Sequence, residues 1–265
     1  MPSTANLEAL IFDVDGTLAD TERDGHRVAF NRAFRAAGLP FDWDVALYGR
    51  LLEITGGKER IRHYLNLFPE QPRLSDAEIA ALHKAKTAHY VDIMAAGGVP
   101  LRPGVLRLLQ EARAAGLRLA IATTTTPENV EALLVNAVGP EAMSWFEVIA
   151  AGDVVPAKKP APDIYLLAME QMGLRPEQCL AFEDSENGVR AALGAGLRVL
   201  ATVNDYTLDH DLSGALAVLE HLGEPEQPAR VLAGPAAGQS LTVDVALLQQ
   251  WCTSAVPARQ AVQGS

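Results

Sequence analysis

Residues 7–20 read LEALIFDVDGTLAD, an apolar run that stops at an Asp-x-Asp-Gly-Thr turn. Residues 7–12 have the length and composition of a short buried strand. Asp13 and Asp15 follow at once, and Gly16 and Thr17 supply turn chemistry. Taken alone, such a group is as often a turn as a site. Its meaning depends on what recurs along the chain.

Similar apolar runs recur at 117–122, 148–150, 179–182 and 198–203, mostly separated by helical patterns. Val130, Leu133, Leu134 and Val138 share one helical face, as do Ile164, Leu167, Ala168 and Met172. Thr126 before Pro127 reads as an N-cap with proline in the first turn. Strands alternating with amphipathic helices predict an α/β fold, with a parallel sheet covered on both faces.

Residues 21–96 break this rhythm. They hold helical patterns at 22–38, 45–54, 57–67 and 75–96 and no convincing strand. A structureless loop of that length is implausible, so the stretch reads as a helical insert after the first strand. The expected division is therefore 1–20 with 97–222 as an α/β core, 21–96 as a helical cap, and 223–265 as linker and tail. Residues 223–240 are rich in Gly, Pro, Ala and Gln and read as the linker; LTVDVALLQQW after them could dock as a short element. The last dozen residues are expected to fray.

Ligands of an open parallel sheet bind at the carboxyl ends of its strands. Asp13 and Asp15 follow the first strand, Thr123 the second, and Glu183 with Asp184 the run at 179–182; Lys159 lies in the loop after VIAAGDVV. Carboxylates gathered at one rim repel one another and call for a cation. An all-oxygen set selects a hard divalent ion such as Mg²⁺. A lysine beside it suits phosphoryl transfer, where positioning and charge neutralisation supply most of the catalysis.

Composition bounds the partners. The chain has 265 residues, 49% hydrophobic and 21% charged, and 22 Lys+Arg against 33 Asp+Glu give a net charge of −11. That balance argues against nucleic acid and against an anionic membrane surface. No apolar run reaches the roughly 18 residues a membrane span needs. Cys179 and Cys252 are too few for a disulfide framework or a cysteine zinc cluster. With no basic, apolar leader pattern in MPSTANLEALIFDVDG, a cytoplasmic location is the expectation.

FDVDGTLAD (12–20), Thr123, Lys159 in KKPAPDIY and FEDSENGV (182–189) together resemble the four motifs of the haloacid dehalogenase (HAD) superfamily. The insert matches the position of its α-helical cap, and the resemblance covers about residues 7–222. It implies a Rossmann-like sheet with Asp13 as nucleophile and Asp15 as general acid and base, its pKa above that of Asp13. Asp13, Glu183 and Asp184 would hold Mg²⁺ with the Asp15 carbonyl. Which of Glu183 and Asp184 touches the metal stays open. Thr123, the Thr124 N–H and Lys159 would hold the phosphoryl group.

ADTERDGHRVAFN (19–31), TGGKERIRHYL (55–65), ATTTTPENVEALL (122–134) and AAGDVVPAKKPAPDIY (150–165) further resemble CbbY-type sugar bisphosphate phosphatases. These take a phosphate from xylulose 1,5-bisphosphate, an inhibitor of Rubisco. The resemblance thus implies a small phosphorylated sugar as partner and a functional link to Rubisco that needs no physical contact. A monomer is expected. A β-phosphoglucomutase-like mutase and a phosphoglycolate-type phosphatase are the alternatives on the same motifs.

A second phosphate needs a second cationic pocket. The candidates are Lys58 and, behind it, Arg60, in a Gly-Gly-Lys-Glu-Arg stretch near a predicted helix start, where glycines and a helix N-terminus favour anions. Arg50 and Arg62 are alternatives, and an ordinary solvated helix face would explain all four. Glu22 and His26 stand just past the first motif and could reach sugar hydroxyls; the family position favours Glu22.

Overall fold

Strand β1, Ala9–Phe12, is wholly buried. Phe12 stands opposite Ile121 of β2 (Arg118–Thr123) on one side and Phe182 of β4 (Cys179–Glu183) on the other, both parallel. Beyond β2 lies β3 (Val148–Ala151); beyond β4 lie β5 (Arg198–Thr202) and β6 (Ala217–Leu219), all parallel. Two antiparallel strands, β7 (Ala229–Ala233) and β8 (Ser240–Leu241), complete the edge. The order β3-β2-β1-β4-β5-β6-β7-β8 makes this a Rossmann-like α/β sheet whose chain order reverses at β1. That reversal opens a crevice at the carboxyl ends of β1, β2 and β4. The computed structural model describes residues 6–253; the last dozen residues, expected to fray, lie outside them.

The two faces follow the strand period of two. Leu10 and Phe12 join Leu119, Ile121, Leu180 and Phe182 on one face. Helices α5 (Val105–Ala114) and α6 (Pro127–Ala137) cover it with Leu108, Leu109, Val130, Leu133 and Leu134. Ala9 and Ile11 point the other way, under Ile164, Tyr165 and Ala168 of α7 (Asp163–Met172) and Val189 and Ala192 of α8 (Glu186–Gly194). Burying each large apolar side chain contributes about 1.5–3 kcal/mol, so both layers are needed.

The insert is helical, as its pattern predicts. A π-helical turn, Glu22–His26, runs into α1 (Arg27–Ala36), followed by α2 (Val45–Leu51), α3 (Gly57–Leu67) and α4 (Asp76–Ala95). Its own core is aromatic: Trp43 packs edge-on against Phe34 and Tyr64 and tilts against Phe30. Ser75 and Glu78 close a capping box at the start of α4. Further along α4, Tyr90 and Met94 join the sheet-side core and tie the two units together.

Residues 223–240 depart from the sequence reading. They are no linker: they carry β7, whose Ala229 and Val231 are buried, and lead into β8. Arg107 donates to the carbonyls of Gly223 and Val243 at 2.9 and 2.8 Å, and Glu224 accepts from the Gly104 N–H. Two alternating apolar positions inside a Gly- and Pro-rich stretch are too few to register as a strand. The next stretch docks as α9 (Val245–Thr253), with Leu248 and Trp251 buried. The sheet-side unit therefore runs to Thr253 and not to residue 222.

Candidate active site

β1 ends at Phe12, and the Asp13 N–H donates to the Phe182 carbonyl of β4 at 3.0 Å. This extra bond carries the ladder one residue past the strand and fixes Asp13 at its tip. The chain then turns: Gly16, at φ +86°, accepts a conformation other residues resist, and its N–H donates to Ala19. A Cβ at Gly16 would stand 2.2 Å from Asp184 Oδ2, so only glycine leaves room for that carboxylate. Gly188 does the same for Glu183, whose Oε2 would lie 1.9 Å from a Cβ there.

Asp13, Glu183 and Asp184 thereby place carboxylate oxygens within 4.8 Å of one another, all buried. Lys159 answers part of this charge, donating to Asp13 Oδ1 and Glu183 Oε1 at 2.6 Å each. Tyr165 also donates to Glu183, and Asn204 donates to Asp184 Oδ2 at 2.7 Å. One lysine against three carboxylates leaves an excess of negative charge. Burial, against the pull of Lys159 and with the push of Glu183, raises the Asp13 pKa to about 7. Burial with Asp13 and Glu183 beside it drives Asp184 well above the carboxylate range. An all-oxygen, electron-rich cluster of this kind fits a hard divalent cation.

Asp15 has the opposite surroundings. Its Oδ1 accepts from Thr21 Oγ1 at 2.6 Å and from His26 Nε2 at 2.8 Å. Lys86 Nζ donates to His26 Nδ1 at 2.7 Å, which assigns the histidine proton to Nε2. Burial alone would raise the Asp15 pKa, but His26, Thr21 and Lys86 hold it far below the usual carboxylate range. The expected order is thus reversed: Asp13 lies above Asp15, because hydrogen-bond donors backed by the Lys86 ammonium face Asp15 while other carboxylates face Asp13.

A cavity of about 280 Å³ opens between sheet and insert. Asp13, Asp15, Thr123, Thr124, Lys159 and Asp184 line it from the sheet side, and Glu22 and Arg60 from the insert. Glu183 stands behind Lys159, buried to 1% exposure. Arg60 is 7% exposed; its Nη1 donates to Tyr48 Oη at 2.9 Å, and Tyr48 donates to Glu22 Oε2 at 2.5 Å. Lys58 does not line the cavity. It pairs with Asp153 at the outer rim, so the buried cation of the Gly-Gly-Lys-Glu-Arg stretch is Arg60.

Four contributors escape the sequence reading. Asn204 follows β5, so the strand-end rule that finds Asp13 and Thr123 could have found it. Lys86 sits on the buried stripe Ile79, Leu82, Lys86, Tyr90 of α4, where a lysine is out of place; that spacing was its signal. Tyr48 and Tyr165 carry no sequence signal for their hydroxyl bonds.

The chain belongs to the haloacid dehalogenase-like hydrolase family, whose model matches residues 7–196. Within it, the chain is similar to CbbY proteins. It is 55% identical over 209 residues to Protein CbbY of Rhodobacter capsulatus, covering 79% of this chain and 91% of that one. It is 48% identical over 248 residues to the plasmid CbbY protein of Cupriavidus necator, covering 92% and 96%. A crystal structure of a mutant CbbY from Rhodobacter sphaeroides in complex with xylulose-(1,5)bisphosphate is similar at TM-score 0.77 and 46% identity, over 88% of this chain and 99% of that one. Among the described residues, no helix is long and apolar enough to cross a membrane.

Proposed function

We propose that the protein is a Mg²⁺-dependent phosphatase that removes one phosphate from a small sugar bisphosphate, with xylulose 1,5-bisphosphate as its substrate. The carrying observation is one cavity shared by Asp13 and Lys159 on the sheet side and the buried Arg60 guanidinium on the insert side. A bisphosphate needs a cation for each phosphate, and guanidinium forks suit phosphate oxygens. The bisphosphate named for the R. sphaeroides relative supports the same substrate.

Asp13, Glu183 and Asp184, with the Asp15 carbonyl, would hold Mg²⁺, which neutralises phosphoryl charge when bound. Asp13 attacks phosphorus and the bond to the sugar oxygen breaks, leaving an aspartyl-phosphate. Asp15 gives a proton to the departing oxygen. It then takes one from the water that attacks phosphorus, freeing Asp13 and inorganic phosphate. The arriving phosphate dianion raises the proton affinity of Asp15, because a like charge beside a carboxylate favours its neutral form. Lys159 holds Asp13 in place, and the Thr123 hydroxyl and Thr124 N–H donate to phosphoryl oxygens. Residues 21–96 act as a cap that excludes water, with hinges near 17–21 and 96–103. Glu22 faces the sugar hydroxyls.

A phosphate-release panel of sugar mono- and bisphosphates, with and without Mg²⁺, tests this reading. Release from xylulose 1,5-bisphosphate that depends on Mg²⁺ supports it. Conversion of β-glucose 1-phosphate to its 6-phosphate isomer in the presence of the bisphosphate activator, without phosphate release, would assign a mutase instead.

A further inference from the structure

Lys58 and Glu59 stand in the first turn of α3, outside the cavity lining. Both reach across to the loop between β3 and α7. Lys58 Nζ donates to Asp153 Oδ2; Lys158 Nζ donates to Glu59 Oε2 at 3.0 Å and pairs with Asp153 Oδ1 at 2.8 Å. Signs alternate along the chain Lys58, Asp153, Lys158, Glu59, with one cation and one anion from each unit. Lys158 is followed directly by Lys159, whose ammonium holds Asp13 and Glu183.

The backbone is shaped around these pairs. Gly56 sits at φ +96°, and a Cβ there would lie 2.3 Å from Glu59 Oε2 and 2.7 Å from Lys158 Nζ. The glycine expected to admit substrate therefore makes room for an ion pair. The ammonium groups are the more sheltered partners, Lys158 at 17% and Lys58 at 29% exposed against 38% for Glu59 and 55% for Asp153, so each pair is partly exposed and individually modest. The hydrogen bonds from Lys158 and Lys58 pull the Asp153 carboxyl down to about 2.

We propose that the Lys58–Asp153–Lys158–Glu59 chain is a positioning device, which holds the helical insert against the sheet and sets the loop that presents Lys159 to Asp13. Its effect on turnover rests on the phosphatase reading; its effect on molecular shape does not.

Glu59→Lys and Lys158→Glu test it, singly and together, in the full chain. Each single change unbalances the charges facing one another across the cleft. Both together set two positive charges on the insert against two negative ones on the loop. Each single variant is expected to lower kcat/KM about tenfold, the scale of a few partly exposed ion pairs, and to raise the radius of gyration in small-angle scattering without substrate. The double variant is expected to return both readouts toward wild type, a rescue that a merely structural loss would not show. Single variants that behave as wild type, or a double variant no better than the worse single, would overturn the proposal. Should a single variant fail to fold by circular dichroism, Lys58→Met and Glu59→Gln remove charge without repulsion and must shift both readouts in the same direction. If wild type releases phosphate from no sugar phosphate, the phosphatase reading fails, while the scattering comparison still decides the device.

Discussion

Asp13 and Asp15 are two residues apart and belong to different electrostatic worlds. Asp13 shares its burial with Glu183 and Asp184, whereas Asp15 is held by His26, Thr21 and Lys86. Replacing Asp13 with Asn should cost at least about 10⁴-fold in phosphate release, because no covalent step remains. Circular dichroism should be unchanged, and substantial residual turnover would contradict the nucleophile role. His83 offers a stability test. Burial, with Lys86 nearby, lowers its pKa from 6.5 to about 3, so the folded protein keeps it neutral. The unfolded chain binds that proton first, so stability is present above pH 6.5 and is lost as pH falls from there toward 3. Comparing His83→Gln with wild type in urea unfolding should show the variant losing less stability between pH 7 and pH 5; parallel curves would contradict the assignment. Legibility at this scale depended on position. That Asp13, Asp15, Thr123, Lys159, Glu183 and Asp184 gather around one crevice was readable because strand ends mark five of them and the loop after β3 carries Lys159. The sequence reading put Lys58 ahead of Arg60, whereas the structure buries Arg60: the apolar face Ile61, Tyr64, Leu65 leaves both on its flanks, and bonds to the Leu51 carbonyl and Tyr48 turn Arg60 inward.

Within the sheet-side unit, a single side chain fastens several elements to one another. Arg102, in the return linker, donates to the carbonyls of Gly16, Val203 and Glu220 and to Thr202 Oγ1 at 3.1 Å, and pairs with Asp20 at 3.3 Å. One guanidinium thus joins the Asp15–Gly16 turn to the end of β5 beside a proposed hinge. Arg102→Met strands these buried acceptors and should cost about 3 kcal/mol in urea unfolding, since each unpaired buried group costs ~1–3 kcal/mol. A change under a few tenths would show that water replaces the arginine freely. The elements themselves were legible where the period was long enough. The five main strands and the four helical patterns of the insert fall close to where alternation and 3.6-residue spacing put them. β6, β7 and β8 span three, five and two residues, too short to carry a period against their Gly- and Pro-rich setting.

For the whole molecule, the net charge of −11 argues against nucleic acid and an anionic membrane but leaves room for a small phosphorylated substrate at a locally positive site. Part of that excess is the buried Asp13, Glu183 and Asp184 cluster, whose sign depends on a cation. Saturating Mg²⁺ should therefore stabilise the protein, by about 5 °C in melting temperature if it exceeds its dissociation constant about 100-fold. The gain should shrink from pH 8 to pH 6, because with its pKa near 7 Asp13 must lose a proton to bind metal. Asp184→Asn should abolish most of the gain; a gain that survives it would place the metal elsewhere. The central claim is that sheet and insert together form a Mg²⁺-assisted phosphatase site with a cation for each end of a bisphosphate. The most direct measurement is phosphate release from xylulose 1,5-bisphosphate by wild type and Arg60→Met. The account predicts one phosphate per sugar, dependent on Mg²⁺, with KM raised about tenfold or more in the variant through loss of a charge-assisted bond. No release at high enzyme concentration, or an Arg60→Met enzyme with unchanged KM, would contradict it.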